Sequence, residues 1–128
     1  MRKQYHFRKS GMGLLAWDVH RLIALSRHLV AQEIPLADIR EVDEAYWFDH
    51  GGPPPTCRNV IEHMRLIEAA ELAYPIILSA DMRVMDGMHR VAKAVLLGHS
   101  HIMAVRFEET PAPDYVDVHP DALPYDDA

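Results

Sequence analysis

The stretch Met82–Gly98, MRVMDGMHRVAKAVLLG, carries the strongest local structural signals in this sequence of 128 residues. A short apolar run leads into Asp86-Gly87, and a helical pattern then extends from Met88 to Gly98. This order predicts a strand, a tight turn and a helix. The first N–H groups of such a helix lack intrahelical partners and lie at the positive end of its dipole, so they can hold an anion.

The side chains at this junction favour a phosphate group as that anion. Gly87 permits either a turn with positive φ or the close approach of a ligand. His89 and Arg90 fall in the first helical turn, where both can donate hydrogen bonds to an oxyanion. We therefore expect a phosphate site built from Asp86, Gly87, Met88, His89 and Arg90. The alternative is a glycine turn with two basic residues facing water.

Length, charge and cysteine content limit the class of protein. A chain of this length forms one domain with its own core. The formal net charge of −6 argues against DNA as a partner, because duplex affinity depends on cations that neutralise phosphates. The sequence has no apolar run of about 18 residues and no signal-peptide core, and its single cysteine, Cys57, excludes an internal disulfide. These features predict a cytoplasmic protein without a membrane partner.

The charges are distributed unevenly along the chain. Residues 1–10 contain the cations Arg2, Lys3, Arg8 and Lys9 and no acidic residue, whereas residues 108–128 are acidic and rich in proline. The two ends could pair with each other, pair across a homodimer, or both be solvated. We expect a basic arm and an N-terminal helix in 1–33, the main body in 34–107 and an acidic tail in 108–128.

Apolar periodicity predicts the elements of this body. Helical spacing of apolar residues predicts a helix from Leu14 to Gln32, after an arm of uncertain structure. Thr56 can N-cap a second helix from Cys57 to about Leu72. Short apolar runs predict strands at 34–36, 76–78, 83–85 and 102–107, and we expect Tyr115 and Val116 to attach part of the tail. The result is an α+β fold in which a small mixed sheet packs with about three helices.

Three other groups of residues are candidates for a binding site. Arg58, in the first turn of the second helix, could be a further anion ligand. The aromatic segment 46–50 could form a wall for a base or a peptide, or could pack its loop onto the core. His99 and His101 fall on one face of a strand. Because zinc needs three or four converging ligands and no acid or cysteine lies near them in sequence, we predict no metal there.

The order of these elements resembles the ParB/sulfiredoxin-like superfamily over about residues 34–107. The most specific part is the D-G-x-H-R motif at 86–90, which is followed by Ala92, Ala94 and Gly98. The resemblance implies binding of a nucleotide of the ATP or CTP class, or of a related phosphate compound. It also implies that the motif lies under the phosphates, in agreement with the anion site expected from the helix terminus.

Two departures from the superfamily narrow this expectation. Sulfiredoxins carry their reactive cysteine immediately before the H-R pair, where this chain has Met88, so the resemblance does not extend to sulfiredoxin activity. Partitioning ParB proteins have an arginine-rich box and a following helix-turn-helix domain. Here an acidic tail follows Phe107, so we do not expect a centromere-type DNA-binding protein.

Free-amino-acid kinases of the superfamily resemble this chain in the motif and in a carboxylate after the first strand, where Asp43 and Glu44 stand. The resemblance thus implies a phosphotransferase or a nucleotide hydrolase in which one of these carboxylates accepts a proton or holds Mg²⁺. The motif, with Arg58, would neutralise the phosphates. One alternative is a non-catalytic nucleotide sensor or protein-interaction adaptor, which needs the phosphate cradle but no carboxylate within reach. A further alternative, which the net charge disfavours, is a protein that binds DNA or RNA through residues 1–10.

Overall fold

The computed structural model of the chain describes residues 3–48 and 52–126, so that Arg2, Asp49 and His50 lie outside the described residues. Its strands are β1 (Tyr5–Ser10), β2 (Gly13–Asp18), β3 (Gln32–Pro35), β4 (Ile76–Leu78), β5 (Val84–Asp86), β6 (His101–Arg106) and β7 (Tyr115–Val116). Its α-helices are α1 (Val19–Ser26), α2 (Cys57–Ala69) and α3 (Met88–Leu96). The predicted α+β class with about three helices is confirmed.

The strands form two sheets. The central sheet has the order β3-β6-β4-β5 and is mixed, because β4 and β6 are parallel while the other neighbours are antiparallel. The crossover between the parallel strands contains α3, as parallel pairing requires. The N-terminal sheet has the order β1-β2-β7 and is antiparallel. The central sheet is the small mixed sheet predicted from sequence, whereas the N-terminal sheet was not predicted.

The predicted helix from Leu14 to Gln32 is wrong over its first five residues and at its end. Residues 14–18 belong to β2, which pairs antiparallel with β1 in the register Ser10↔Gly13. Gly13 has φ +97°, which lets the chain reverse tightly, and the predicted arm of uncertain structure is thus the first strand of a hairpin.

The first helix, α1, is short and begins at Val19. The sequence suggested Ser10 as its N-cap, but the N-cap is Asp18. The side chain of Asp18 accepts a hydrogen bond from the His20 amide at 2.9 Å and caps α1. The helix ends at Ser26, and β3 begins at Gln32. Residues 14–18 fit the apolar spacing of a helix as well as that of a strand. They form a strand because β1 and β7 are available to pair with them on either side.

The central sheet has an apolar core on each face. Successive strand residues point to opposite faces, so Ile76 and Leu78 pack towards α3 while Ile77 packs towards α1 and the N-terminal sheet. On the α3 side, Val91 and Ala94 are fully buried. The other cluster contains Trp17, Leu22, Ile77, Met85, Val105 and Phe107. These two cores fix the position of the β5–α3 junction from both sides.

The acidic tail packs against the N-terminal sheet. β7 pairs with β2 in the register Leu15↔Val116, which confirms that Tyr115 and Val116 attach the tail. The prediction that strand 102–107 is the last strand is wrong, because β7 follows it. Leu123 is also buried, and the Trp17 indole donates to the carbonyl of Pro111 at 2.8 Å. No helix in the described part of the chain has the length and apolar composition needed to cross a membrane.

The predicted starts of α2 and α3 are confirmed. The Thr56 hydroxyl accepts from the Asn59 amide at 3.2 Å, and the Asn59 side chain accepts from the Thr56 amide at 2.9 Å, so the pair forms a capping box. At the other end of α3, Gly98 has φ +76° and the His99 amide donates to the carbonyl of Ala94 at 3.0 Å. This is the Schellman termination expected from a glycine after the last helical residue.

Candidate functional site

A cavity of about 500 Å³ opens beside the β5–α3 junction, between β1 and the segment 41–47. Five of the residues predicted to form a site line it, and they come from two different parts of the chain: Glu44, Asp86, Gly87, Met88 and His89. The structure thus brings most of the D-G-x-H-R motif together with one of the two predicted carboxylates.

Arg90 does not line this cavity and is engaged by its own neighbourhood. Its Nη2 donates to Asp86 at 2.9 Å, and its Nη1 donates to the carbonyls of Tyr74 and Pro75 at 2.8 and 2.9 Å. The guanidinium thereby ties the first turn of α3 to the segment that enters β4. Three of the five N–H donors of the guanidinium are thereby used within the chain.

Gly87 is required by its backbone conformation and by its packing. Its φ of +103° lies in the left-handed region that favours glycine, and it is the N-cap of α3. A Cβ at this position would lie 2.7 Å from Cγ2 of Ile76 and 2.8 Å from Nη2 of Arg90. Of the two sequence-based explanations for this glycine, the turn with positive φ is therefore observed, and the approach of a ligand stays a prediction.

His89 forms a stacked cluster with a histidine from α2 and with Trp47. Its Nε2 lies 2.9 Å from Nδ1 of His63, and both imidazoles stack on the Trp47 indole with ring centroids at 4.7 and 4.4 Å. Burial, together with the charge that His63 would carry, lowers the pKa of His89 to about 4. His89 is therefore neutral near pH 7, and the positive charge expected from it is absent there.

The described part of the aromatic segment packs onto the core, as one of the two alternatives predicted, and it also lines the cavity, while its role as a wall for a base or a peptide stays a prediction. Tyr46 and Trp47 line the cavity, and both also pack against the core cluster on the α3 side. The Tyr46 hydroxyl donates to the carbonyl of Val84 at 3.3 Å, and burial raises the pKa of Tyr46. The segment is thus a cavity wall that the core holds in place.

Arg58 and Asp43 lie away from the cavity. Arg58 is exposed in the first turn of α2, where the Asn59 amide already donates to the Thr56 hydroxyl. Asp43 is exposed at the end of the 3₁₀ turn Arg40–Asp43. Of the two carboxylates predicted from sequence, only Glu44 lies at the cavity.

Glu44 is paired with an arginine that the sequence analysis did not select. Nη1 of Arg83 donates to Oε2 of Glu44 at 3.0 Å, and Nη2 donates to Oε1 at 2.5 Å. This two-point hydrogen bonding lowers the pKa of the Glu44 carboxyl. Glu44 is therefore an exposed, ionised partner of Arg83 at the rim of the cavity.

Glu41 is a buried carboxylate that sequence reasoning also missed. It is only 2% exposed, and its Oε2 accepts from the Val84 amide at 2.6 Å. Its Oε1 is buried without a hydrogen-bond partner among the described residues. In the sequence it is one acid of an acidic segment, and no periodic signal there separates a buried acid from solvated ones.

Arg8 brings the basic N-terminal segment to the cavity. Its Nε donates to Nε2 of His6 at 2.8 Å, and its Nη2 donates to the Ser79 hydroxyl at 3.0 Å. Its guanidinium carbon lies 5.6 Å from the centre of the Trp17 ring, and burial lowers its pKa. Two sequence signals could have found it: the S-G-M-G turn before an apolar run, and the alternation that puts His6 and Arg8 on one face of a strand.

Comparison with protein-family models, with curated proteins and with solved structures gives no match. The membership of the ParB/sulfiredoxin-like superfamily therefore stays a prediction from the sequence. The chemistry of this cavity has to be argued from its own residues.

The described side chains do not by themselves form a metal site. Within 3–48 and 52–126, no group of three or more His, Cys, Asp or Glu side chains converges in a way that could hold a metal ion. Three carboxylates line the cavity: Glu44 is paired with Arg83, Asp86 is paired with Arg90, and Glu41 accepts a hydrogen bond through Oε2 from the Val84 amide. The Mg²⁺ site that the resemblance implies is thus not preformed by these side chains.

Proposed function

We propose that the chain binds a nucleotide, or another phosphorylated small molecule, in the cavity beside α3. The observation that carries this proposal is that one cavity is lined both by the N-terminal turn of α3 and by the cationic side chains Arg8, Lys9 and Arg83. Helix N-terminal amides and guanidinium groups are two common means of holding phosphate. A volume of about 500 Å³ is also typical of pockets for small ligands.

The two arginines would contribute in different ways. Arg8 is half-buried and held by His6 and Ser79, so it is a cation with a fixed position. Arg83 is paired with the exposed Glu44, and surface ion pairs contribute little to stability. A phosphate offers the same guanidinium two oxygens, so it can replace Glu44 with little loss.

Replacement of Glu44 by a phosphate on Arg83 supports a catalytic role for this cavity. A phosphate on Arg83 would release the Glu44 carboxylate beside it, where it could accept a proton from a substrate hydroxyl or from water. The chain would then be a phosphotransferase or a nucleotide hydrolase. Without a second substrate, the same cradle would serve a nucleotide sensor or an adaptor.

A thermal-shift panel tests the binding proposal. ATP, CTP, pyrophosphate and inorganic phosphate are titrated with and without Mg²⁺, and a compound that binds only the folded chain raises Tm with its concentration. We expect at least one of them to do so. Arg83→Gln should weaken that ligand about tenfold or more, since a charge-assisted bidentate contact is lost. Arg27→Gln, which removes an exposed arginine outside the cavity, is the matched control.

Two results would overturn the proposal: no phosphate compound stabilises the wild type, or the two arginine variants weaken binding equally. Product analysis then separates the enzyme from the sensor. For an enzyme, Glu44→Gln should lower turnover by about 10² or more while binding persists. For a sensor, the wild type binds the ligand without converting it.

A further inference from the structure

Glu41 brings an unsatisfied acceptor to the wall of the cavity beside α3. It lines that cavity, although only 2% of it is exposed. Its Oε2 accepts from the Val84 amide at 2.6 Å and lies 3.6 Å from Nε of Arg83. Its Oε1 is buried and has no hydrogen-bond partner in the described part of the chain. Because buried polar atoms are nearly always hydrogen-bonded, we look for a donor that the fold itself does not supply.

The structural role of Glu41 uses only half of its carboxylate. β5 is an edge strand of the central sheet. Glu41 accepts from the amide of Val84 and the Tyr46 hydroxyl donates to its carbonyl, so two side chains take the place of a neighbouring strand. One neutral acceptor would be enough for this role, and a glutamine would provide it without burying a charge. The second oxygen is therefore left for another partner.

The surroundings of Glu41 favour an amino group on a flat ring as that partner. A carboxylate oxygen accepts from N–H groups and finds no partner in a carbonyl oxygen. Tyr46 is its aromatic neighbour in the cavity wall, where burial and then the charge of Glu41 raise the pKa of Tyr46. Trp47 continues the same wall, and planar bases stack on aromatic side chains of this kind. A nucleobase with an exocyclic amino group suits both features.

We propose that Oε1 of Glu41 accepts a hydrogen bond from the exocyclic amino group of a nucleobase, so that the cavity selects nucleotides whose base carries one. This inference rests on the proposed function, because the phosphates of the same ligand occupy Arg83 and the start of α3. Arg83 connects the two ends of the ligand, since its Nη atoms hold Glu44 and its Nε lies beside Glu41. A phosphate that takes the guanidinium from Glu44 also draws this side chain away from the Glu41 carboxylate, which then opens to the amino group.

Two pairs of nucleotides, each differing in one group, test this recognition on the wild type. ATP and ITP carry an amino and a keto group at the same purine carbon, and CTP and UTP do so on the pyrimidine. In calorimetric titrations the amino member of at least one pair should bind about tenfold or more tightly than its keto partner, because a keto oxygen would leave two buried acceptors unpaired.

Equal affinities within both pairs overturn this inference and leave the binding proposal standing. The same holds if pyrophosphate binds and no nucleotide does. If no phosphate compound binds, both proposals fail. These outcomes need no variant, so they decide the matter even if a substitution at the buried Glu41 prevents folding.

Glu41→Gln tests whether Glu41 is the residue that selects the base. The glutamine oxygen can still accept from the Val84 amide, while its NH₂ group offers a donor in place of Oε1. The ratio of amino to keto affinities should therefore fall about tenfold or more, or reverse. Arg83→Gln is the matched comparison, since it should weaken both members of a pair and keep their ratio. A folded Glu41→Gln variant that keeps the wild-type preference overturns the assignment.

Discussion

Helices α2 and α3 are both amphipathic and begin where the sequence places them, yet their surroundings differ. α3 buries Met88, Val91 and Ala94 against the central sheet, while α2 buries no residue. The link between them is small: Lys93 donates to the carbonyls of Glu68 and Ala70 at 2.9 and 2.7 Å, and His63 meets His89. Local signals thus decide where a helix forms, while the sheet decides which helix has a covered face. Of these two helices, α3 should therefore contribute more to the stability of the fold.

The helix N-caps should show the largest difference. Gly87→Ala should lower the free energy of unfolding by about 2–4 kcal/mol, because an L-residue is strained at positive φ and its Cβ would press on Ile76 and Arg90. Thr56→Ala removes a side-chain cap from α2 and should cost only about 1 kcal/mol. Urea denaturation of both variants measures the difference. Equal losses would show that α2 and α3 contribute alike.

The same substitution in the middle of each helix should give a smaller but clean contrast. Val91 is fully buried, so Val91→Ala should cost about 2–3 kcal/mol through lost burial and the cavity left behind. Val60 is 46% exposed, so Val60→Ala should change stability by less than about 0.5 kcal/mol. Urea denaturation of both variants measures these losses. A loss at Val60 comparable to that at Val91 would contradict the exposure of α2.

Lowering the pH should loosen the contact between the two helices. The pKa of His89 is about 4 in the folded chain and about 6.5 when unfolded, so the unfolded form binds more protons between these values. The contribution of His89 is thus complete above about pH 6.5 and is lost as the pH falls towards 4. For this half-buried ring we expect about 1 kcal/mol after allowance for solvent screening.

Thermal unfolding between pH 4 and 7 measures this loss. His89→Gln should flatten the part of the pH dependence that the ring causes, whereas His28→Gln, at an exposed position, should not. If wild type and His89→Gln lose the same stability over this range, the histidine pair does not join the helices as described.

The sequence predicted the site in part. The turn at Gly87 and the helix after it follow from a few neighbouring residues, and they are observed as predicted. The opposite wall of the cavity depends on Arg8, which meets Ser79 across 71 positions of the chain. The apolar run at 14–18 fits a helix as well as a strand, and its pairing of Ala16 with Tyr115 lies beyond any local pattern. Contacts between residues so far apart in the chain cannot be predicted from the spacing of residue types within one segment.

By itself, the sequence determined the α+β class, the caps of α2 and α3, and the glycine that starts the phosphate-site candidate. These depend on φ angles and hydrogen bonds within a few residues, so short segments encode them. Only the tertiary structure decided that the basic N-terminal segment lines the cavity, that Arg90 is engaged by Asp86 and that α2 keeps an exposed stripe. Those outcomes depend on how sheets and helices that are distant in the chain pack together, and packing of this kind overrides local preference.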